Sequence, residues 1–214
     1  MVDFFQLNPP SGRGPFDGTS PLVPPGFTEL TTSYSSIYEY DNEGFTRITQ
    51  IADSAEYAPF RTNTSNKSGK YFVECEIIQR VDRIKGLIGW IRQSQIETLS
   101  NTFDDITYTG MPFSLLGASD DGIFVSRGAN DDFTIISPIQ LEAGDFVAMA
   151  LNLNAPIVTY YVNGDEIFTE NIITAFEDIY VFGCLGNLTG NEIRFNFGQR
   201  SFVQPIPAGF TRRW

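Results

Sequence analysis

The side chains able to do chemistry in this chain are carboxylates. Glu74 and Glu76 stand two apart within KYFVECEI (70–77), and paired acids recur at Asp104-Asp105, Asp120-Asp121 and Asp131-Asp132. Two carboxylates on one strand face are the minimum for hydrolysis by an acid and a nucleophile, and clustered hard oxygens are the chemistry that holds Ca²⁺. Neither pattern is complete. No third carboxylate follows Glu76 three residues on, so the pair reads as two solvated glutamates on the outer face of a strand. The stretch DDGIFVSRGANDD (120–132) brings four carboxylates and Asn130 to the ends of one hairpin-like segment. It lacks the EF-hand spacing, so these acids read as solvated loop charges and no metal is assigned. The chain has no histidine, which removes imidazole bases, His-dependent triads and HExxH zinc sites. Cys75 and Cys184 fall in apolar, strand-like runs and read as buried free thiols rather than nucleophiles or a disulfide. No catalytic residue and no cofactor is assigned, and the chain is read as a non-enzyme.

With 14 Lys+Arg against 26 Asp+Glu among 214 residues, the net charge is −12. Phosphate binding needs clustered cations, and here only Arg212-Arg213 are adjacent, so nucleic acid is excluded as a dedicated partner and anionic membrane surfaces are disfavoured. The first residues, MVDFFQLNPPSGRG, lack a basic region followed by an apolar core, and no run approaches the ~18 apolar residues of a membrane span. The expectation is a protein made in a cytoplasm, neither secreted by a signal peptide nor inserted in a membrane.

What would position such residues is a β scaffold. Residues 1–30 carry Pro9, Pro10, Pro15, Pro21, Pro24 and Pro25 among four glycines, which prevents helix or central strand and makes an extended arm. Phe4, Phe5, Phe16 and Phe27 punctuate it, so it reads as laid over an apolar surface of this chain or a neighbour. From about residue 31 the apolar period becomes two. Val73, Cys75 and Ile77 alternate with Glu74 and Glu76, and short β-branched or aromatic runs recur at 86–91, 122–126, 133–137, 146–153, 157–162, 179–185 and 193–197. Asn163-Gly164 within VTYYVNGDEIF supplies the positive-φ pair of a tight hairpin. No window carries a sustained helical period, and 96–103 or 172–179 accommodates one helical turn at most. Antiparallel sheets packed face to face follow, as one domain over 31–214, because 19 Phe and 9 Tyr fill the gap of a sandwich better than a narrow barrel.

At residues 144–168 a family becomes recognisable. GDFVAMALNLNAPIVTYYVNGDEIF resembles the Gly-Asp turn, apolar strand, aromatic strand and Asn-Gly hairpin of SPRY (B30.2-like) domains. KYFVECEI (70–77), GLIGWIRQ (86–93) and IRFNFGQRSF (193–202) are similar, in order, to that family's first core strand, Gly-Trp strand and closing segment. The ending PIPAGFTRRW (205–214) is similar to the tail of SPRY modules in phage and environmental virion proteins. The resemblance covers roughly residues 60–211 and departs from the family in a long 92–119 insertion, at Asn152 and Asn154, and over 1–59. It implies an all-β, concanavalin-A-like jelly-roll sandwich whose loops at one edge grip a protein or glycan, with no catalytic cofactor. Concanavalin-A-like glycosidases place acids as Glu-x-Asp-x-x-Glu on one strand face, a pattern Glu74-Cys75-Glu76 does not complete.

The function expected is that of a phage virion component, a capsid decoration or tail/baseplate protein. Its partners would be other virion proteins or copies of itself in a homo-oligomeric assembly, or a host glycan or receptor. The alternative is a free-standing cytoplasmic adaptor or lectin-like module. Partner contacts are expected in the long loop after Trp90, chiefly Arg92, Phe103, Asp104, Asp105 and Tyr108, because long connections in compact domains are usually functional. The arm residues Phe4, Phe5, Phe16 and Phe27 are expected to add contacts of their own. Pro24-Pro25-Gly26-Phe27-Thr28 and Pro207-Ala208-Gly209-Phe210-Thr211 repeat one Pro-x-Gly-Phe-Thr pattern near the two ends.

Overall fold

The structure, a computed structural model, describes residues 28, 30–31, 36–40, 47–53, 59–81, 84–96, 114–127, 133–172, 177–185, 188–210 and 214. Its strands are β1 (Leu30–Thr31), β2 (Tyr38–Tyr40), β3 (Arg47–Gln50), β4 (Pro59–Thr62), β5 (Lys70–Gln79), β6 (Ile84–Arg92), β7 (Ser114–Ser119), β8 (Gly122–Arg127), β9 (Phe133–Ser137), β10 (Phe146–Asn152), β11 (Ile157–Val162), β12 (Asp165–Asn171), β13 (Ile179–Cys184) and β14 (Glu192–Asn196). One four-residue helix, α1 (Gln93–Ile96), follows β6. The first sheet runs β1-β4-β13-β6-β7-β8-β9 and the second β12-β11-β10-β5-β14-β3-β2. The pairing within both is antiparallel, as the period-two pattern requires.

Alternation is clearest in β11, where Val158, Tyr160 and Val162 are buried and the residues between them half-exposed. Asn163 and Gly164 adopt φ of 50° and 93°, closing the β11–β12 hairpin in the left-handed conformation that only Gly and Asn tolerate cheaply. The Asp145 carboxylate accepts from the Glu142 N–H at 2.7 Å and from the Asn163 amide at 2.9 Å, which fixes the Gly144-Asp145 turn against the hairpin.

The core lies between the sheets. Phe60 of the first sheet meets Phe195 of the second edge-on at 5.7 Å, and Phe195 stacks on Phe197 at 5.3 Å. Trp90 is buried in the same cluster. Cys75 and Cys184 form no disulfide and are buried, and loss of water pushes the Cys75 thiol up, with Glu76 and Glu74 adding to the effect.

Two expectations need correction. The 92–119 insertion is shorter than its sequence suggests, because 114–119 is strand β7, paired to both β6 and β8. Ser-Leu-Leu-Gly-Ala-Ser has too little alternation to read as a strand in isolation. Nor is Glu74 solvated. It points away from the sandwich core, as period two requires, but only 2 % of it is exposed. The chain after β14 folds over the outer face of the second sheet, where Phe202, Ile206 and Phe210 pack on Phe72, Ala148 and Ala150. Beneath it the Glu74 carboxylate accepts the N–H groups of Val203 at 3.0 Å and Gln204 at 2.7 Å. A buried carboxylate is tolerable only with such donors, so the pattern that looked like half of an acid pair is the anchor of the C-terminal tail.

Candidate functional site

The loops gather at the two ends of the sandwich, and the ends differ. At one end lie the segments after β3 (51–53), between β5 and β6 (80–81), at the β7–β8 turn (120–121), between β9 and β10 (138–145) and before β14 (188–191). Four large apolar side chains are exposed there, Ile51, Val81, Ile139 and Leu188, each at 42–49 %. Two fully engaged polar groups hold this apolar rim in place.

Asn191, with 0 % exposure, is the first. Its side-chain oxygen accepts the Val81 N–H at 2.9 Å and its backbone oxygen accepts the Gln50 N–H at 2.9 Å, so one residue ties three segments together. Gly190 returns an N–H to the Gln50 carbonyl at 2.8 Å, and a Cβ at Gly190 would stand 3.0 Å from the Val81 side chain, which therefore rests directly over the glycine. Arg80 is the second. It donates to the Leu141 carbonyl at 2.8 Å and pairs with Asp120 at 2.9 Å, binding the 138–142 segment to the β7–β8 turn. Asp120 is thus an ion-pair partner, and among the described residues no group of three Asp, Glu or Cys side chains stands close enough to hold a metal ion. Asp53 accepts from both the Thr189 N–H at 2.7 Å and its hydroxyl at 2.6 Å. The hydroxyl bond first, and the N–H second, hold its carboxyl below the usual carboxylate range. With Asp120 paired to Arg80, the further carboxylates at the rim are Asp53, Asp121 and Glu142.

At the opposite end the surface is polar. Arg92, expected to read a partner, reaches Glu177 at 3.7 Å, and Lys67 reaches Asp178 at 3.2 Å. The Ser94 side chain foremost, then its N–H and Arg92, hold the Glu177 carboxyl low against partial desolvation. Tyr180 hydrogen-bonds Gln93 and lies under the Arg61 guanidinium, 4.8 Å from its ring. Arg92 marks the base of the long connection. Phe103, Asp104, Asp105, Tyr108, Phe4, Phe5, Phe16 and Phe27 lie outside the described residues, as do Asp131 and Asp132.

The candidate acid pair does not form a catalytic arrangement. The Glu74 oxygens are taken by the tail, and Glu76 forms an ion pair with Arg194. The cleft beside them, lined in part by Glu74, Glu76, Arg194, Asn196 and Arg200, measures about 120 Å³. Small-molecule sites begin at roughly 300 Å³.

Sequence reasoning missed the apolar rim, since isolated Ile, Val and Leu in loops are unremarkable one at a time. The one local signal is Thr189-Gly190-Asn191, a turn residue followed by a side chain suited to capping backbone groups.

No family model and no curated protein matches this sequence. Solved structures do. The SPRY domain of human HERC1 has 14 % identity and a TM-score of 0.49 over 78 % of this chain and 93 % of that one. The TRIM65 PSpry domain has 12 % identity and a TM-score of 0.56 over 78 % of this chain and 91 % of that one. Stonustoxin has 14 % identity and a TM-score of 0.52 over 74 % of this chain, which spans 26 % of the toxin chain.

Proposed function

From a chain that has the SPRY-like sandwich fold, we propose a non-enzymatic binding module that takes a protein partner at the apolar rim of Ile51, Val81, Ile139 and Leu188. The observation that carries this reading is the contrast within the rim. The Gln50, Val81 and Gly190 N–H groups and the Asn191 and Arg80 side chains at its base are hydrogen-bonded, while its large apolar tips face water. Exposed apolar groups on a hydrogen-bonded base, with the carboxylates of Asp53, Asp121 and Glu142 at the same end, suit a partner surface with apolar pockets flanked by Lys or Arg. The engaged carboxylates of Glu74 and Glu76 and the small cleft beside them support the absence of catalysis.

Within that reading the partner is a neighbouring protein of a phage particle, and the chain a capsid decoration or tail/baseplate component. The PIPAGFTRRW ending, similar to tails of virion SPRY modules, and the acidic net charge favour this over a free-standing adaptor. The test is particle incorporation, measured by mass spectrometry of purified particles, for the wild-type chain, for Ile51→Asp/Leu188→Asp and for Lys67→Glu at the opposite end. The double variant should fold and fall at least tenfold in copy number while Lys67→Glu incorporates normally. Equal incorporation of all three would refute the rim, and absence of the wild-type chain from particles would refute the virion assignment.

A further inference from the structure

Period two turns Glu76 to the outer face of the second sheet, and the register builds a row around it. Phe146 of β10 stands opposite Glu76 on one side and Arg194 of β14 on the other, while Asn196 stands opposite Glu74 in the next row. Residues directly opposite share a face, so Phe146, Glu76 and Arg194 floor one strip of it. The C-terminal tail forms the wall. Glu74 accepts the Val203 and Gln204 N–H groups, the Asn196 amide donates to the Ser201 carbonyl at 3.2 Å, and Arg200 donates to the Phe195 carbonyl at 3.2 Å. The cleft between floor and wall is fixed by bonds made before any ligand arrives, which lowers the ordering cost of filling it.

Its polar atoms are not all used. Arg194 gives both Nε, at 3.0 Å, and Nη2 to a single oxygen of Glu76, Oε2. Among the described residues nothing bonds Glu76 Oε1, Arg194 Nη1 or the Ser201 hydroxyl, and the Glu76 and Arg194 side chains remain 20 % and 31 % exposed. Val203, 65 % exposed, lines the same cleft, as does Phe146.

We infer that this cleft takes the side-chain carboxamide of a glutamine from a protein partner, a contact that does not rest on the apolar rim. Its volume of about 120 Å³ matches about four water molecules at ~30 Å³ each, room for one short side chain. Charge selects which one. Glu74, Glu76, Arg194 and Arg200 together leave the cleft close to neutral. A Lys or Arg head would compete with Arg194 for Glu76, and a carboxylate would compete with Glu76 for Arg194. Each would leave a partly buried charge short of its partner. A carboxamide breaks neither bond, because its NH₂ donates to Glu76 Oε1 while its oxygen accepts from Arg194 Nη1 or the Ser201 hydroxyl. Phe146 and Val203 supply apolar surface for its methylene stem. A glutamine within a chain suits that surface better than the free amino acid, whose ammonium and carboxylate would lie against Val203.

The test titrates the isotope-labelled full chain with N-acetyl-glutamine-N-methylamide and follows the backbone amide shifts. Saturable shifts are expected at Phe146, Ser201 and Val203, with binding at least about fivefold tighter than for the matching lysine and glutamate derivatives and for free glutamine. Ser201→Trp, which fills the cleft from an exposed position, should abolish these shifts while the amides of 157–162 keep their wild-type positions. Equal binding of the lysine or glutamate derivative would overturn the inference in favour of an ion site. Equal binding of free glutamine would overturn the protein source. Shifts that persist in Ser201→Trp, or no saturable shift with any of the four probes, would overturn the site itself. The selectivity of the wild-type chain decides the question even if the variant fails to fold.

Discussion

The two ends of this sandwich are built from the same kind of element, connections between antiparallel strands, and both use ion pairs, but they differ in what they leave at the surface. At the polar end Lys67, Arg92, Glu177 and Asp178 pair with one another across segments. At the other end Asn191 and Arg80 do the tying, which leaves Ile51, Val81, Ile139 and Leu188 at the surface. The difference teaches that large apolar side chains can stay exposed on an ordered loop where polar side chains already satisfy its backbone. A loop held together by its own hydrophobic side chains would have none left to present.

Both ends rest on one core, so the largest effect should not distinguish them. Phe197→Ala, removing the ring stacked on Phe195, should cost about 3–5 kcal/mol in urea denaturation. A near-zero change would mean that β14 has been placed in the wrong register. Asn191→Leu should separate the ends. It leaves the Val81 N–H without its acceptor and should cost about 1–3 kcal/mol, with faster amide exchange at 80–81 and 188–190 but not at 93–94 or 177–178. Exchange raised equally at both ends would break the comparison. Glu177→Gln at the polar end should cost under about 1 kcal/mol, because exposed ion pairs contribute little, and a larger loss by denaturation would show that this end too is held by a single keystone.

The smallest effect is that of pH at the rim. Asp53 has a folded pKa below its unfolded value, so its contribution is fully present above the ordinary Asp range, near 3.9, and is lost as pH falls through the depressed folded value. Amide exchange at Thr189, corrected for its intrinsic pH dependence, should therefore lose protection only below about pH 4. Protection lost already at pH 5–6 would assign the latch to another group.

Much of the scaffold was legible in the sequence because its information is local. Period two and short β-branched or aromatic runs marked β5, β6, β8, β9, β10, β11, β13 and β14, and Asn163-Gly164 marked its hairpin, since side-chain direction and left-handed φ are properties of a residue and its immediate neighbours. Glu74 shows where locality ends. Its face was correctly read and its environment was not, because the donors that bury it come from Val203 and Gln204, 129 and 130 residues further on. The rim was illegible for the same reason. Ile51, Val81, Ile139 and Leu188 lie far apart in sequence, and nothing local says that they share one end.

By itself, then, the sequence determined the β class, the hairpin, the alternation that buries Val73, Cys75 and Ile77, and the absence of histidine chemistry. The tertiary structure alone decided which carboxylates are engaged, that 114–119 is a strand, that the C-terminal tail seals the second sheet, and which loop end is apolar. The division is physical. Backbone preference and pleat period act over a few residues, whereas burial, ion pairing and capping depend on which distant segments the register brings into contact.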